Sequence, residues 1–189
     1  MPARKTSRSQ AAPRAPRKRA PVPRRRPPDA LAMLRQDHRR VASLFTQFAR
    51  PGLDGERKAA LVGRICRELT LHANVEDEIF YPAARTVLRK QALIDEADVE
   101  HATARMLVAE LERGKPGDDH YDAKVKVLGE YVKHHVREEQ ETLFPKLRRT
   151  PLDLAVLGER IAMRKRELEA MLDRPEALDD AMRRFVPIV

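Results

Sequence analysis

The chain has 189 residues, a net charge of +9 and a single cysteine, Cys66. One cysteine excludes an internal disulfide and fits a reducing compartment, so we expect a cytoplasmic protein. No apolar run approaches the roughly 18 residues of a transmembrane helix, so we expect no membrane span. Few glycines, no tryptophan and many Ala, Leu, Glu and Arg residues predict an all-α protein.

The N-terminal segment differs from the rest of the chain. Residues 1–28 carry ten Lys and Arg and no Asp or Glu, whereas the remaining residues hold 28 basic and 29 acidic side chains. This Pro-, Arg- and Ala-rich composition cannot bury enough apolar surface to fold, so we expect disorder. Its cations could neutralise phosphates of a nucleic acid or another anionic surface without sequence specificity. The alternative is an extension without a partner.

Hydrophobic spacing predicts five helical segments, followed by a tail. Their approximate ranges are 29–50, 54–81, 95–113, 119–144 and 152–172. Pro82 and Pro145 are expected to bend or end the second and fourth helices, because proline cannot donate a helical hydrogen bond. We expect residues 29–150 to form a four-helix bundle, and residues 151–189 to add a helix and tail that pack on it.

Two stretches of the chain repeat one motif. Residues 72–82 and 135–145 both read HxxxExExxxP with an aromatic residue before the proline, at an offset of 63. The same offset carries His38 onto His101, so four of the six histidines obey one internal repeat. Such self-similarity predicts a site that is built by two equivalent halves.

Helix geometry predicts that these histidines meet. A histidine and a glutamate four residues apart share one helix face. His38 lies about 13 residues before its loop and His72 about 17 after it, so at about 1.5 Å per residue both reach a similar level, about 20 Å from the turn. The second hairpin has the same dimensions. The predicted layer contains His38, His72, Glu76, His101, His135 and Glu139.

The chemistry of this layer indicates a metal site. Burying six polar groups costs several kcal/mol unless partners satisfy them, and two divalent metal ions would do so. Imidazole together with carboxylate suits iron, and zinc or manganese is possible. We expect each metal to take two histidines, with Glu76 and Glu139 as candidate bridges. Open positions would then accept dioxygen, peroxide or nitric oxide.

Residues 29–150 resemble the hemerythrin-like, HHE cation-binding family. The resemblance rests on Asp37-His38, Glu100-His101 and the two HxxxE motifs with their Tyr-Pro or Phe-Pro endings. It implies an up-down four-helix bundle with an oxo- or hydroxo-bridged di-iron centre, and it places the six residues of the layer at ligand positions.

This chain departs from the oxygen-carrying members of that family. Those proteins have a second histidine one turn after the ligand of the third helix, where this chain has Arg105, and an aspartate where it has Glu139. The missing fifth histidine argues against simple oxygen storage. Sensing, iron handling, and chemistry of peroxide or nitric oxide remain open.

Several residues near the layer have weaker roles. Glu78 and Glu141 repeat but point away from the ligands, so we expect them to face solvent or to pair with arginines. Asp37 and Glu100 adjoin ligand histidines and are expected either to support them or to lie at the surface. His120 and His134 are expected at the surface.

Two further predictions concern the interior of the bundle. Glu68 and Tyr131, one turn before His72 and His135, are equivalent under the repeat. They are predicted to lie on the inward face and to be the one chemical difference between the halves there. Tyr131 is expected either to pack with its hydroxyl at the edge of the bundle or to hydrogen-bond an oxygen species at the metal. Cys66 is expected to be packed rather than reactive.

The sequence favours binding or sensing over turnover, because it shows no flavin motif or redox-partner domain. One alternative is a di-iron oxidoreductase that consumes peroxide or nitric oxide. Another is a nucleic-acid-associated scaffold that acts through residues 1–28.

Overall fold

The computed structural model describes residues 28–173. The predictions of a disordered N-terminal segment and of a tail after Pro175 concern residues outside this range. The helices are α1 (Ala30–Phe48), α2 (Gly55–Val75), α3 (Tyr81–Val87), α4 (Ala92–Arg113), α5 (Tyr121–Glu138), α6 (Phe144–Leu147) and α7 (Leu154–Leu172).

Two helical hairpins form the bundle. Short connections fold α1 back on α2, and α4 back on α5, so the neighbours in each pair are antiparallel. Aspartate caps fix two of the starting points: Asp29 accepts a hydrogen bond from the N–H of Ala32, and Asp54 from that of Arg57. The predicted all-α bundle with an added C-terminal helix is confirmed.

Pro82 and Pro145 were predicted to bend or end the second and fourth helices, and neither helix ends at its proline. One π-helical turn, π1 (Glu76–Phe80), joins α2 to α3, and another, π2 (Glu139–Leu143), joins α5 to α6. Pro82 and Pro145 lie in the first turn of the α-helix that resumes after each π turn. Proline is tolerated there, because its position in the first turn removes little of the helical bonding.

The π turns change which residues share a face. The N–H of Tyr81 bonds the carbonyl of Glu76, five residues back, and Phe144 bonds Glu139 in the same way. In an α-helix, residues five apart point about 140° away from each other. The wider turn brings them close to one direction, so each aromatic side chain enters the layer that holds the preceding glutamate.

The polar layer lies between two apolar clusters. One cluster includes Leu34, Phe80 and Phe144, and the other includes Val41 and Ile65. His38 lies between Leu34 and Val41 on α1, so the layer of histidines separates the two apolar clusters. Their apolar packing holds the polar side chains in place from both sides.

The C-terminal helix α7 packs on α1, α2 and π1. Its Gly158 lies against the chain at the start of α1, where an added Cβ would meet the carbonyl oxygen of Pro28 at 2.7 Å. Arg164 donates two hydrogen bonds to Glu78 of π1. Lys165 donates to Asp37 of α1. The added helix therefore contacts both halves of the first hairpin.

Within residues 28–173, no helix combines the length and the apolar character that crossing a bilayer requires.

Candidate metal centre

Four buried imidazoles meet in the middle of the bundle. The Nε2 atoms of His38 and His72 are 3.1 Å apart, and those of His101 and His135 are 3.4 Å apart. Each pair comes from one hairpin, as the repeat predicted. All four residues are no more than 6% exposed. The ring nitrogens that point inward are therefore screened from bulk water.

Two buried glutamates lie among these nitrogens. Oε2 of Glu76 is 3.1 Å from Nε2 of His72 and 3.4 Å from Nε2 of His101, so this carboxylate reaches both pairs. Oε2 of Glu139 is 3.2 Å from Nε2 of His38 and 3.7 Å from Nε2 of His135. The structure thus brings together all six residues that the sequence placed in one layer.

The outward ring nitrogens have their own partners. Nδ1 of His101 lies 2.8 Å from Asp77, and Nδ1 of His135 lies 2.9 Å from Glu100. The amide of Gln140 lies 2.9 Å from Nδ1 of His38. Such partners orient an imidazole and select which nitrogen carries the proton.

The fourth imidazole, that of His72, has a looser partner. Its Nδ1 lies 3.8 Å from Oδ2 of Asp37. Asp37 and Glu100 therefore both approach a ligand position on the neighbouring helix of their hairpin, which is the supporting role that the sequence left open for them.

Sequence reasoning missed Asp77 and Gln140, although the repeat could have found them. Each directly follows a glutamate of the layer, and the offset of 63 carries one onto the other. Adjacent residues on a helix point about 100° apart, so they were not expected near the ligands of their own helix. They instead support histidines of α4 and α1, across the bundle.

The side chain of Tyr81 also belongs to the site. Its hydroxyl donates to Oε1 of Glu139 at 3.1 Å and lies 3.5 Å from Oε2 of Glu76. Burial, and then the charges of Glu139 and Glu76, raise the pKa of Tyr81 well above its usual value. The phenol therefore keeps its proton and stays a hydrogen-bond donor. Its repeat mate Phe144 stacks on His38, with ring centroids 5.9 Å apart.

Burial and carboxylates act in opposite directions on the imidazoles. Burial lowers the pKa of His38 below its usual value. Burial also acts on His72, but the carboxylates of Glu76 and Asp37 outweigh it and raise the pKa of His72. Burial alone would raise the pKa of Glu139, but the close contact with His38 and the other nearby imidazoles lower it to about 2. The surroundings of Glu139 therefore favour its ionised form.

These residues fit a metal pair. Glu76 Oε1 and Glu139 Oε2 are buried without a hydrogen-bond partner among the described residues. Nδ1 of His101 and Nδ1 of His135 each donate to a carboxylate, so the Nε2 lone pairs of these two residues would face one another without a proton between them. Metal cations would satisfy both the unpartnered carboxylate oxygens and the facing Nε2 lone pairs, since imidazole and carboxylate are ligands of iron, zinc and manganese.

The predicted inward placement of Glu68 and Tyr131 was wrong. Tyr131 is 43% exposed, and the carboxylate of Glu68 accepts hydrogen bonds from Arg40 at the surface. Successive residues of an α-helix are about 100° apart around its axis. This spacing places Glu68 on α2 and Tyr131 on α5 about 80° from the centre of the inward-facing side of the helix. Both therefore point to the edge of the bundle.

Other expectations for this region agree with the structure. Glu78 pairs with Arg164, and Glu141 and His134 are exposed. Cys66 is buried, and its burial, followed by the charge of Glu112, raises the pKa of the thiol to about 12. His120 is exposed and begins α5 with a positive φ of 64°.

A groove of about 1110 Å³ reaches the imidazoles from the surface. It runs mainly between α2 and α4, where small residues such as Gly63, Ala73 and Ala109 leave space. Its lining includes Asp77 and all four histidines of the site, among them His101. A small molecule can therefore approach the centre without unfolding the bundle.

Comparison with known proteins places the chain in a family. Residues 29–147 match the family described as Hemerythrin HHE cation binding domain. A hemerythrin HHE cation binding domain-containing protein from Mycobacterium kansasii superposes with a TM-score of 0.68 at 23% identity, over 84% of this chain and 99% of that one, which shows the shared fold.

A curated relative is a DNA nickase from Nostoc sp., which is 30% identical over 119 residues. The match spans 61% of this chain but only 32% of that protein. The family match covers most of the chain and contains the clustered His and Glu residues described above. The chain therefore belongs to the hemerythrin HHE cation-binding domain family and is a hemerythrin-like metal-binding protein.

Proposed function

We propose that the chain holds two iron ions, bridged by oxo or hydroxo, and binds or senses a small oxidant, nitric oxide or iron itself. The observation that carries this proposal is the buried cluster of four inward imidazole nitrogens around two carboxylates, each of which has a buried oxygen without a hydrogen-bond partner among the described residues. Zinc and manganese are the alternative metals for this donor set.

The residues of the site have different roles in metal binding. Glu76 reaches the inward nitrogens of both hairpins and would bridge the two ions. Glu139 would be the second candidate bridge, since its Oε2 lies near Nε2 of both His38 and His135, and Tyr81 holds its other oxygen. Asp77, Glu100 and their counterparts fix the ring orientations. When bound, iron would supply a redox-active position for dioxygen, peroxide or nitric oxide.

Binding is favoured over turnover because sustained reduction of peroxide or nitric oxide requires an electron donor, and the sequence contains no flavin motif. Consumption of either ligand with an added reductant would instead favour the oxidoreductase. A cytoplasmic location stays a prediction from the cysteine content.

Removal of Glu76 tests the bridge. Glu76→Ala deletes the carboxylate that reaches both hairpins, so we expect loss of both metal ions together rather than of one. Metal content by mass spectrometry measures this directly. The matched control is Glu78→Ala, which removes an exposed carboxylate two residues away and should retain both ions. Full metal content in Glu76→Ala would exclude Glu76 as a bridge.

Association with nucleic acid is a second candidate function. Residues 1–28 carry ten cationic side chains without an acidic one, and the Nostoc relative is named a DNA nickase. We propose that this segment contacts phosphates without sequence specificity. It would tether the metal-binding bundle to nucleic acid.

Deletion of residues 1–28 tests this role. The full chain should bind duplex DNA with an affinity that falls steeply with salt, whereas the truncated chain should bind at least roughly tenfold more weakly. Both proteins are compared by fluorescence anisotropy at several salt concentrations. Unchanged affinity after truncation would contradict the proposal.

A further inference from the structure

The two halves of the metal centre differ in the residues that surround the ligands. Three positions that are equivalent under the repeat carry different chemistry, namely Asp77 and Gln140, Tyr81 and Phe144, and Arg105 and Ala42. In each pair, one member is charged or carries a hydroxyl, and the other is a neutral amide, an apolar ring or a methyl group. The polar members come from both copies of the repeat, Asp77 and Tyr81 from the first and Arg105 from the second.

The more polar members all lie next to His101. Asp77 is 2.8 Å from its Nδ1, and the hydroxyl of Tyr81 is 3.5 Å from its Nε2. Arg105 follows His101 by one helical turn on the same face and pairs with Asp77. The equivalent histidine, His38, has instead the amide of Gln140 and a stacked phenyl ring.

The two halves also offer unequal numbers of ligand atoms. Four atoms of one set lie within 4.8 Å of one another, and they belong to His38, His72, Glu76 and Glu139. A second set of three belongs to Glu76, His101 and His135. A metal at the second set has fewer protein ligands and therefore more room for an exogenous one.

The groove reaches both histidine pairs, but the polar side chains along it belong to the His101 half. Among the described residues its lining includes Asp77, His101 and Arg105, but not Gln140, and neither Tyr81 nor Phe144 contributes to it. A molecule that enters between α2 and α4 therefore passes the polar residues of the His101 half.

We propose that a small anion binds at the metal position of His101 and His135, with Tyr81 and Arg105 as the residues that select it. This inference rests on the metal centre proposed above and names the position and the ligand class within it. The protonated phenol can turn to donate to an anion, and the guanidinium is a permanent cation with several N–H donors. Azide is a suitable probe of this class.

The test is azide binding to the metal-loaded full chain, followed by its absorption spectrum. Replacing Arg105 by Gln should weaken azide binding roughly tenfold while metal content stays at that of the parent protein. Replacing Tyr81 by Phe should weaken azide binding by a similar factor when the affinity is expressed per bound metal pair. Arg105→Lys keeps the charge and should recover most of the affinity. Ala42→Gln places the same amide at the equivalent position of the other half and should leave azide affinity unchanged.

Three results would overturn the inference. One is azide affinity that does not change in Tyr81→Phe and Arg105→Gln when both retain the metal. Another is a metal-loaded protein that does not bind azide at all. The third is a crystal structure of the azide complex with azide on the side of His38 and His72. A chain that holds no metal would instead remove the proposed function, so the two failures are distinguishable.

Discussion

At the scale of single residues, the partners of the outward Nδ1 atoms explain as much about the site as the inward Nε2 atoms do. Glu100 accepts from Nδ1 of His135, and this contact holds the pKa of Glu100 below its usual value. A carboxylate in this position makes the imidazole a stronger metal ligand.

Glu100→Ala should therefore weaken metal binding by about 10- to 100-fold without removing a direct ligand. Competition with a chelator of known affinity measures the change. Glu141→Ala is the control, because Glu141 repeats in the same motif but is exposed and distant from the imidazoles. An unchanged affinity in Glu100→Ala would show that the hydrogen bond to His135 does not tune the site.

At the scale of elements, the π turns explain what the sequence revealed and what it did not. The His and Glu pairs at i and i+4 lie just before or at the π turns, where α-helical periodicity still holds, so both pairs were predictable. Tyr81 lies five residues after Glu76, and α-helical geometry would point it elsewhere. Its place beside Glu139 depends on a widened turn that has no sequence signal except the following proline.

The internal repeat also predicted the site residues better than the spacing of residues along one helix face did. It related Asp37 to Glu100, and the same offset relates Asp77 to Gln140. Stripe reasoning alone gave Tyr131 an inward position that it does not have. Contacts across the bundle, such as Gln140 with His38, depend on how the hairpins pack, which local spacing does not encode.

The docking of α7 is a second property at this scale, and Gly158 tests it. An alanine Cβ at this position would meet the Pro28 carbonyl oxygen at 2.7 Å and the Ala30 nitrogen at 2.9 Å. Backbone atoms cannot rotate away, so Gly158→Ala should destabilise the protein by about 1–3 kcal/mol. Chemical denaturation measures this free energy.

Gly63→Ala is the matched control for that substitution. An added Cβ at Gly63 in α2 meets no atom within 4 Å, and alanine favours a helix over glycine by about 0.5–1 kcal/mol. This variant should be at least as stable as the parent. A Gly158→Ala protein of equal stability would mean that α7 does not pack closely against the start of α1.

At the scale of the whole molecule, the bundle is a repeated hairpin with a broken symmetry. Both hairpins supply two imidazoles and one carboxylate, and two apolar clusters enclose the layer that they form. The additional helix α7 reaches this layer through Lys165 and Asp37, whose other oxygen faces His72. The contacts of Lys165 with Asp37, and of Asp37 with His72, thus connect α7 directly to the layer of histidines.

The most direct test of the central claim is the metal content of the full chain, purified without added metal and measured by mass spectrometry alongside protein concentration. We expect two metal ions per chain, with iron predominating, and a near-ultraviolet absorption band from the oxo-bridged pair. Less than one metal ion per chain, after growth with sufficient iron, would contradict the dinuclear centre.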